Sequence, residues 1–336
     1  MKTQSSLPLN LLLLASFQLH TAFAQSTTIQ ELESPAAAPA DQLLVSRDHA
    51  NRLVVQVLLN DQGPFAFLLD TGANQSAVSV ALAQKLQLES ASPAILQGVT
   101  GEATVARVKV ATLEAGSLQL SNQKLAVINA TLDGLDGVLG VDGFKNKRVA
   151  AHIVNNVVTI TRSQSRSQSP TYADYATFPL EFRNGLLALI PGSVPGVSIK
   201  AVIDTGSQGS LGTEPLRASL VLRGDTGHTQ TITRVQGVTG AIQRGQSHLT
   251  PLIRLDCVGS TSYEYILVRN IPIAYGDFHV FKLWGLRYEP ALLVGMDILG
   301  RMDEVVIDYG NKQMYWKQAA DESPNRQSSV PNANGS

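Results

Sequence analysis

Cysteine is almost absent from this sequence, since its 336 residues include only Cys257. A single cysteine excludes an intrachain disulfide and a metal site built from several thiolates. Neither sign of charge dominates, because 26 Lys and Arg residues stand against 27 Asp and Glu residues. A chain without a basic excess cannot neutralise many phosphates, which argues against a nucleic-acid-binding protein. The sequence also lacks a P-loop, a Gly-x-Ser-x-Gly motif and a His-x-x-x-His pair, so we expect neither a metal ion nor a cofactor.

The N-terminus has the pattern of an export signal. Lys2 precedes a leucine-rich run at 7–17, and Ala22-Phe23-Ala24 has the small-x-small pattern of a cleavage site. The apolar run is too short to span a bilayer, so we predict a signal peptide over 1–24, cleaved near Ala24, and no stable membrane insertion. A buried N-terminal helix or a membrane anchor is the alternative. An exported chain without disulfides suits a bacterial periplasm, and we expect a periplasmic or secreted protein.

The rest of the chain repeats itself. Three short signatures occur in the same order in both halves. They are FLLDTGA at 67–73, QGVTG at 97–101 and VLGVD at 138–142, then AVIDTGS at 201–207, QGVTG at 236–240 and LVGMD at 293–297. One such match arises easily by chance, whereas three in matching order indicate two homologous lobes.

The segments outside the repeats suggest the domain boundaries. We predict a flexible leader at 25–40, a first lobe at 41–162, a linker at 163–172, a second lobe at 173–317 and a disordered tail at 318–336. The leader, linker and tail are rich in small and polar residues and show no apolar period.

Local patterns predict a strand leading into each Asp-Thr-Gly motif. The apolar residues before Asp70 and Asp204 run without alternation, which is typical of a strand buried on both faces. Residues 80–86 instead have helical spacing, with Ser79 as the N-cap. A pair of strands is expected near the end of each lobe, after the third signature. We therefore predict an all-β protein with few short helices.

The duplicated Asp-Thr-Gly loops resemble those of retropepsin-like aspartic proteases, in the single-chain, two-lobed form of exported bacterial proteins. The resemblance covers nearly all of the region expected to fold. It implies two homologous β-barrel lobes with a cleft between them, and an aspartic endopeptidase acting on a peptide or protein substrate. Asp70 and Asp204 would be the catalytic pair, sharing one proton and activating a water molecule.

The same resemblance assigns roles to the residues around this pair. The active-site loops would be completed by Thr71, Gly72 and Ala73 in the first lobe and by Thr205, Gly206 and Ser207 in the second. Thr71 and Thr205 would brace the loops through reciprocal hydrogen bonds. Two flap tips would close over the peptide, formed by Gly98, Val99, Thr100 and Gly101 and by Gly237, Val238, Thr239 and Gly240. Neither flap has the tyrosine that pepsins place there, which favours the retropepsin type.

Two differences between the halves lead to further predictions. Ala73 corresponds to Ser207 at the fourth loop position. A serine hydroxyl donating to the adjacent carboxylate would make Asp204 the ionised member of the pair and Asp70 the protonated one. The second half also carries an aromatic insert near 273–291, which either lines a substrate pocket or packs on its own lobe.

The fold by itself does not establish an activity. A catalytically inactive periplasmic peptide- or envelope-binding protein with the same fold is the alternative function. We expect a monomer with two lobes, and a dimer in which lobes pair between chains is left open.

Overall fold

The computed structural model describes residues 11–12, 42–129, 132–165, 174–224, 231–258 and 264–318. The predicted leader, nearly all of the predicted signal peptide and tail, and most of the predicted linker lie outside these residues. Within the described ranges, no helix is long and apolar enough to cross a membrane.

Strands make up most of the described structure, and its helices are short. The first half contains β1 (Leu11–Leu12), β2 (Gln42–Leu44), β3 (Ser46–Arg47), β4 (Leu53–Leu59), β5 (Gln62–Leu69), β6 (Ala77–Ser79), β7 (Ser90–Gly98), β8 (Gly101–Ala115), β9 (Leu118–Ile128), β10 (Gly137–Leu139), β11 (Lys147–His152) and β12 (Val157–Arg162). The second half contains β13 (Ala176–Pro179), β14 (Glu181–Arg183), β15 (Leu187–Val194), β16 (Val197–Ile203), β17 (Leu211–Thr213), β18 (Thr231–Gln236), β19 (Ile242–Asp256), β20 (Tyr265–Gly276), β21 (Ala291–Val294), β22 (Met302–Asp308) and β23 (Gln313–Gln318). The helices are α1 (Val80–Lys85), α2 (Glu214–Leu222), α3 (His279–Leu283) and α4 (Met296–Leu299), with a 3₁₀ turn at Val141–Gly143. The all-β prediction is confirmed.

Each lobe is built on one large sheet, and the two sheets follow the same plan. Listed from corresponding ends, the strand order is β3-β4-β5-β10-β6-β9-β8-β7-β1 in the first sheet and β14-β15-β16-β21-β17-β20-β19-β18 in the second. In the first sheet β10 runs parallel to β5 and antiparallel to β6, and in the second β21 has the same relation to β16 and β17. Each strand that leads into an Asp-Thr-Gly loop therefore lies beside the strand of the third signature.

The strands before the two aspartates are buried on both faces, as their unbroken apolar runs predict. Phe67, Leu68 and Leu69 are buried, and so are the residues at 201–203 in the second lobe. The predicted helix start is also present, because the Ser79 hydroxyl accepts the N–H of Leu82 at 3.1 Å.

A six-stranded sheet joins the lobes, with the order β13-β23-β22-β11-β12-β2. At its centre β11 of the first lobe pairs with β22 of the second, from Arg148 opposite Asp308 to His152 opposite Glu304. Large apolar side chains of this sheet, such as Trp316, are fully buried. Burial of each such side chain stabilises the fold by about 1.5–3 kcal/mol. Because the shared sheet contains strands of both lobes, this burial stabilises the contact between the lobes.

Candidate active site

The two Asp-Thr-Gly loops meet between the lobes and hold each other. The Thr71 N–H donates to the Thr205 hydroxyl at 3.1 Å, and the Thr205 N–H donates to the Thr71 hydroxyl at 3.0 Å. Each hydroxyl then donates to the opposite lobe, Thr71 to the Ile203 carbonyl at 2.9 Å and Thr205 to the Leu69 carbonyl at 2.7 Å. All four bonds are buried, so a shift of either loop would leave polar groups unpaired. The reciprocal bonds that the resemblance implies are therefore present.

Asp70 and Asp204 are both completely buried at this junction. Oδ1 of each carboxyl group accepts two N–H groups of its own loop, at 2.9 and 3.0 Å in the first lobe and at 2.8 and 3.1 Å in the second. The donors are Gly72 and Ala73, and Gly206 and Ser207. Oδ2 of each carboxyl group is buried and accepts no N–H or hydroxyl group of the described residues, and the two carboxyl groups face each other within hydrogen-bond range. These two oxygens are the acceptor atoms that remain for a water molecule or a substrate.

This environment raises both pKa values, but by unequal amounts. Burial raises the pKa of Asp70 well above its ordinary value, and the charge of Asp204 raises it further. Burial raises the pKa of Asp204 only to about 7, because its contact with Asp70, its loop N–H groups and the positive charge of Arg52 act in the opposite direction. The two carboxyl groups therefore titrate as one coupled pair, in which Asp204 has the lower pKa.

The role expected for the Ser207 hydroxyl is wrong. It donates to the carbonyl of Gly209 at 2.8 Å rather than to Asp204. A serine hydroxyl has one hydrogen to donate, and a carbonyl within its own turn takes it here, so only the Ser207 N–H is left for the carboxylate. The pKa of Asp204 is instead lowered, in order of size, by its contact with Asp70, by its loop N–H groups and by the charge of Arg52.

Two serine–aspartate pairs, missed in the sequence, support the loops. The Ser76 hydroxyl donates to Asp142 at 2.8 Å and the Ser210 hydroxyl donates to Asp297 at 2.7 Å. The same two carboxylates accept the serine N–H groups at 3.1 and 2.9 Å. A signal for them exists in the repeat, because each serine follows its Asp-Thr-Gly motif at the same distance and each aspartate ends a third signature.

Two glycines are required by close approach of the backbone. A Cβ on Gly206 would lie 2.2 Å from Cγ of Asp70. A Cβ on Gly140 would lie 2.8 Å from the Ala73 carbonyl oxygen and 2.6 Å from the Gln75 backbone. No larger residue fits at either position without moving an active-site loop.

The chain is similar to known proteins in part of its sequence and in its fold. Residues 55–142 match the family model described as Aspartyl protease. The fold is similar to that of an aspartic proteinase from Irpex lacteus, with a TM-score of 0.53 and 13% sequence identity, over 85% of this chain and 99% of that one. The resemblance to retropepsin-like aspartyl proteases is confirmed. The structural likeness establishes the pepsin-like aspartic proteinase fold, and no curated protein matches the chain.

The two flap tips of this protease fold touch and cross to the opposite lobes. The Thr100 hydroxyl donates to the Ala241 carbonyl of the other flap at 2.8 Å. Val99 and Val238 are only 4% and 3% exposed. Val99 belongs to an apolar cluster of the second lobe that includes Leu189 and Val202, and Val238 belongs to one of the first lobe that includes Leu68 and Ala73.

The aromatic insert holds the flap of the first lobe. His279 Nε2 lies 2.7 Å from Gln97 Oε1, and the Val280 N–H donates to the Val99 carbonyl at 3.2 Å. The Val99 side chain packs in the cluster that contains Phe278, Phe281 and Trp284. The insert was expected either to line a substrate pocket or to pack on its own lobe. These three side chains pack on their own lobe, and they also contact the flap of the first lobe.

A groove of about 860 Å³ lies beside the Asp204 loop. Its lining includes residues 208–210 after that loop, Asn51 of the first lobe and part of strand β18. Among the described strands β18 pairs only with β19, so its other edge has N–H and C=O groups available to an extended peptide. The corresponding strand of the first flap, β7, instead pairs in parallel with Leu11–Leu12.

Proposed function

We propose that this protein is an aspartic endopeptidase that hydrolyses peptide bonds with a water molecule activated by Asp70 and Asp204. The observation that carries the proposal is the meeting of two buried carboxyl groups, each with one oxygen held by its loop and one that accepts no N–H or hydroxyl group of the described residues. The family match over the first lobe and the fold of the whole chain support a protease-type function.

The unequal ionisation of the pair suggests how the roles are divided. The Asp204 carboxylate would take a proton from the water as its oxygen attacks the peptide carbonyl carbon, while protonated Asp70 would give its proton to the carbonyl oxygen. Asp204 would then give its new proton to the nitrogen as the C–N bond breaks, while one hydroxyl of the tetrahedral product returns a proton to Asp70. The products are a carboxylic acid and an amine, and the pair holds one proton again.

A substrate can reach the pair only if the flaps separate. Both aspartates are fully buried and the tips are bonded through Thr100 and Ala241. The free edge of β18 and the groove beside it would bind an extended stretch of peptide, whose backbone would continue the sheet. We therefore expect unfolded or extended protein segments to be cut in preference to folded ones.

The export signal is also part of the proposal. Cleavage near Ala24 would direct the protein to the periplasm or outside the cell, and it would remove Leu11–Leu12 from the edge of β7. Both flap edges would then be open to a peptide. Because one chain supplies both aspartates, we propose that the active form is a monomer.

The decisive experiment incubates the purified mature protein with a diverse peptide pool over a range of pH. We expect cleavage that a pepstatin-type inhibitor blocks and that Asp70→Asn lowers by about 10²- to 10⁴-fold, since this variant removes a group that transfers a proton. Asp61→Asn, the same change in an exposed turn, is the matched control. Peptide binding without cleavage by the wild type at any pH would instead support the inactive binding protein.

A further inference from the structure

A buried arginine lies at the junction of the two lobes, next to one aspartate loop. Arg52 immediately precedes β4 of the first lobe and is 1% exposed. Its Nη1 donates to the carbonyl of Gly206, in the loop of Asp204, at 3.5 Å. A buried guanidinium is costly unless it is paired, so its position so close to the aspartate pair calls for a reason.

Two carboxylates fix the direction in which this guanidinium points. Asp48 Oδ2 accepts from Nε at 2.6 Å and lies 2.5 Å from Nη2. Asp133 Oδ2 lies 3.3 Å from the same Nη2. Asp48 also accepts the N–H groups of Arg52 and Ala50 through its other oxygen, at 2.8 and 3.0 Å. The arginine is therefore held in place from its own lobe while its remaining nitrogen reaches the other.

The second lobe has no arginine at the matching position. Val54 and Leu189 occupy equivalent positions in the two lobes. Val54 pairs with Leu68 and Leu189 pairs with Val202, and each of these partners lies two residues before its aspartate. This register matches Arg52 with Leu187, which is 1% exposed within an apolar cluster. The loop of Asp204 thus has a cation beside it, and the equivalent position near the loop of Asp70 holds a leucine.

We propose that Arg52 is a positioning residue that makes the aspartate pair asymmetric, by favouring the carboxylate at Asp204 and leaving the shared proton on Asp70. This inference rests on the proposed function, because it assigns the base of the reaction to the second lobe. A positive charge favours the ionised form of the nearer of two coupled carboxyl groups.

The remaining ionisable groups around the pair are consistent with this role. The positive charge of Arg52 lowers the pKa of Asp204 against the effect of burial. Asp48 and Asp133 pair with Arg52 through Nε and Nη2, so their charges oppose its effect on Asp204, while Nη1 is the nitrogen that reaches the loop. Tyr309 stays neutral, because burial and the charge of Asp70 raise the pKa of its hydroxyl.

The test compares Arg52→Gln with Arg52→Lys in the full mature chain. The readouts are the pH profile of kcat/KM and a titration of the two carboxyl groups by ¹³C NMR. With Arg52→Gln we expect the acid limb of the pH profile to move to higher pH, because the Asp204 carboxylate loses the positive charge that stabilises it. With Lys we expect the limb to stay near the wild-type position, even where the rate falls. Arg254→Gln removes an exposed arginine that is paired with Asp256, and it should leave the limb unchanged.

An acid limb that does not move in folded Arg52→Gln overturns the inference, and so does a lower rate with unchanged limbs in both variants. If Arg52→Gln does not fold, the double variant Asp48→Asn with Arg52→Gln removes the buried ion pair together and takes its place. If the wild type cleaves no peptide, the proposed function fails, and the NMR titration still decides whether Arg52 sets the order of ionisation.

Discussion

The two lobes are alike in the bonds that hold the aspartates and different in what surrounds them. Thr71 and Thr205 exchange the same hydrogen bonds, and a serine–aspartate pair supports each loop. The groups around the loops differ, however, since Arg52 corresponds to Leu187. Both carboxyl groups are thus positioned in the same way, while the charged groups near them differ.

The interiors of the lobes differ as well. The pairing of strands aligns the two sheets residue by residue. In this alignment the positions of Val108, Val110 and Val127 in the first lobe are taken in the second by His248, Thr250 and Tyr275, respectively. The Thr250 and Tyr275 hydroxyls lie 2.7 Å apart, whereas neither ring nitrogen of His248 has a hydrogen-bond partner among the described residues. A buried polar group that lacks a partner is costly, so His248 carries a cost at a position where the first lobe has a valine.

The strongest test of the symmetry replaces each loop threonine in turn. Thr71→Ala and Thr205→Ala each leave a buried N–H and a buried carbonyl unpaired, and we expect each to lower the free energy of unfolding by about 3 kcal/mol. Chemical denaturation measures the loss. Thr71→Ser and Thr205→Ser keep the hydroxyl and serve as controls. If one alanine variant is as stable as the wild type, the loops do not brace each other equally.

The second prediction uses the difference between His248 and Val108. Burial and the charge of Arg217 lower the pKa of His248, so the folded state binds its proton less readily than the unfolded state. Stability should therefore fall as the pH drops below about 6.5, the ordinary value. His248→Val should make this decline shallower when unfolding is measured at several pH values. Replacing the exposed His49 by valine should leave the slope as it is, and an unchanged slope in His248→Val would contradict the prediction.

The smallest effect concerns the two flaps. The first flap is bonded to α3 through Gln97 and His279. His279→Ala should lower the local stability of this contact by about 1 kcal/mol. The Val280 N–H, which donates to the Val99 carbonyl, should then exchange its hydrogen roughly five-fold faster. His152→Ala, which removes a histidine paired with Glu304 outside the flaps, is the control. Equal exchange in wild type and variant would show that α3 does not restrain this flap through His279.

Much of the local structure could be predicted because it depends on neighbours in the chain. The buried strands before Asp70 and Asp204, the helix after Ser79 and the paired strands that end each lobe follow from apolar patterns and one capping residue. The joining of β11 to β22 could not be predicted. The apolar pattern of a strand shows that it is buried, but not which distant strand it pairs with.

The sequence by itself determined that two homologous β lobes each bring one aspartate, because the repeated signatures encode strands and tight loops locally. Only the tertiary structure decided which groups surround each aspartate. The Ser207 hydroxyl bonds to Gly209, and Arg52 reaches Gly206 of the other lobe. The direction of a buried side chain is set by the groups that packing brings against it, and for Arg52 one of them comes from the opposite lobe.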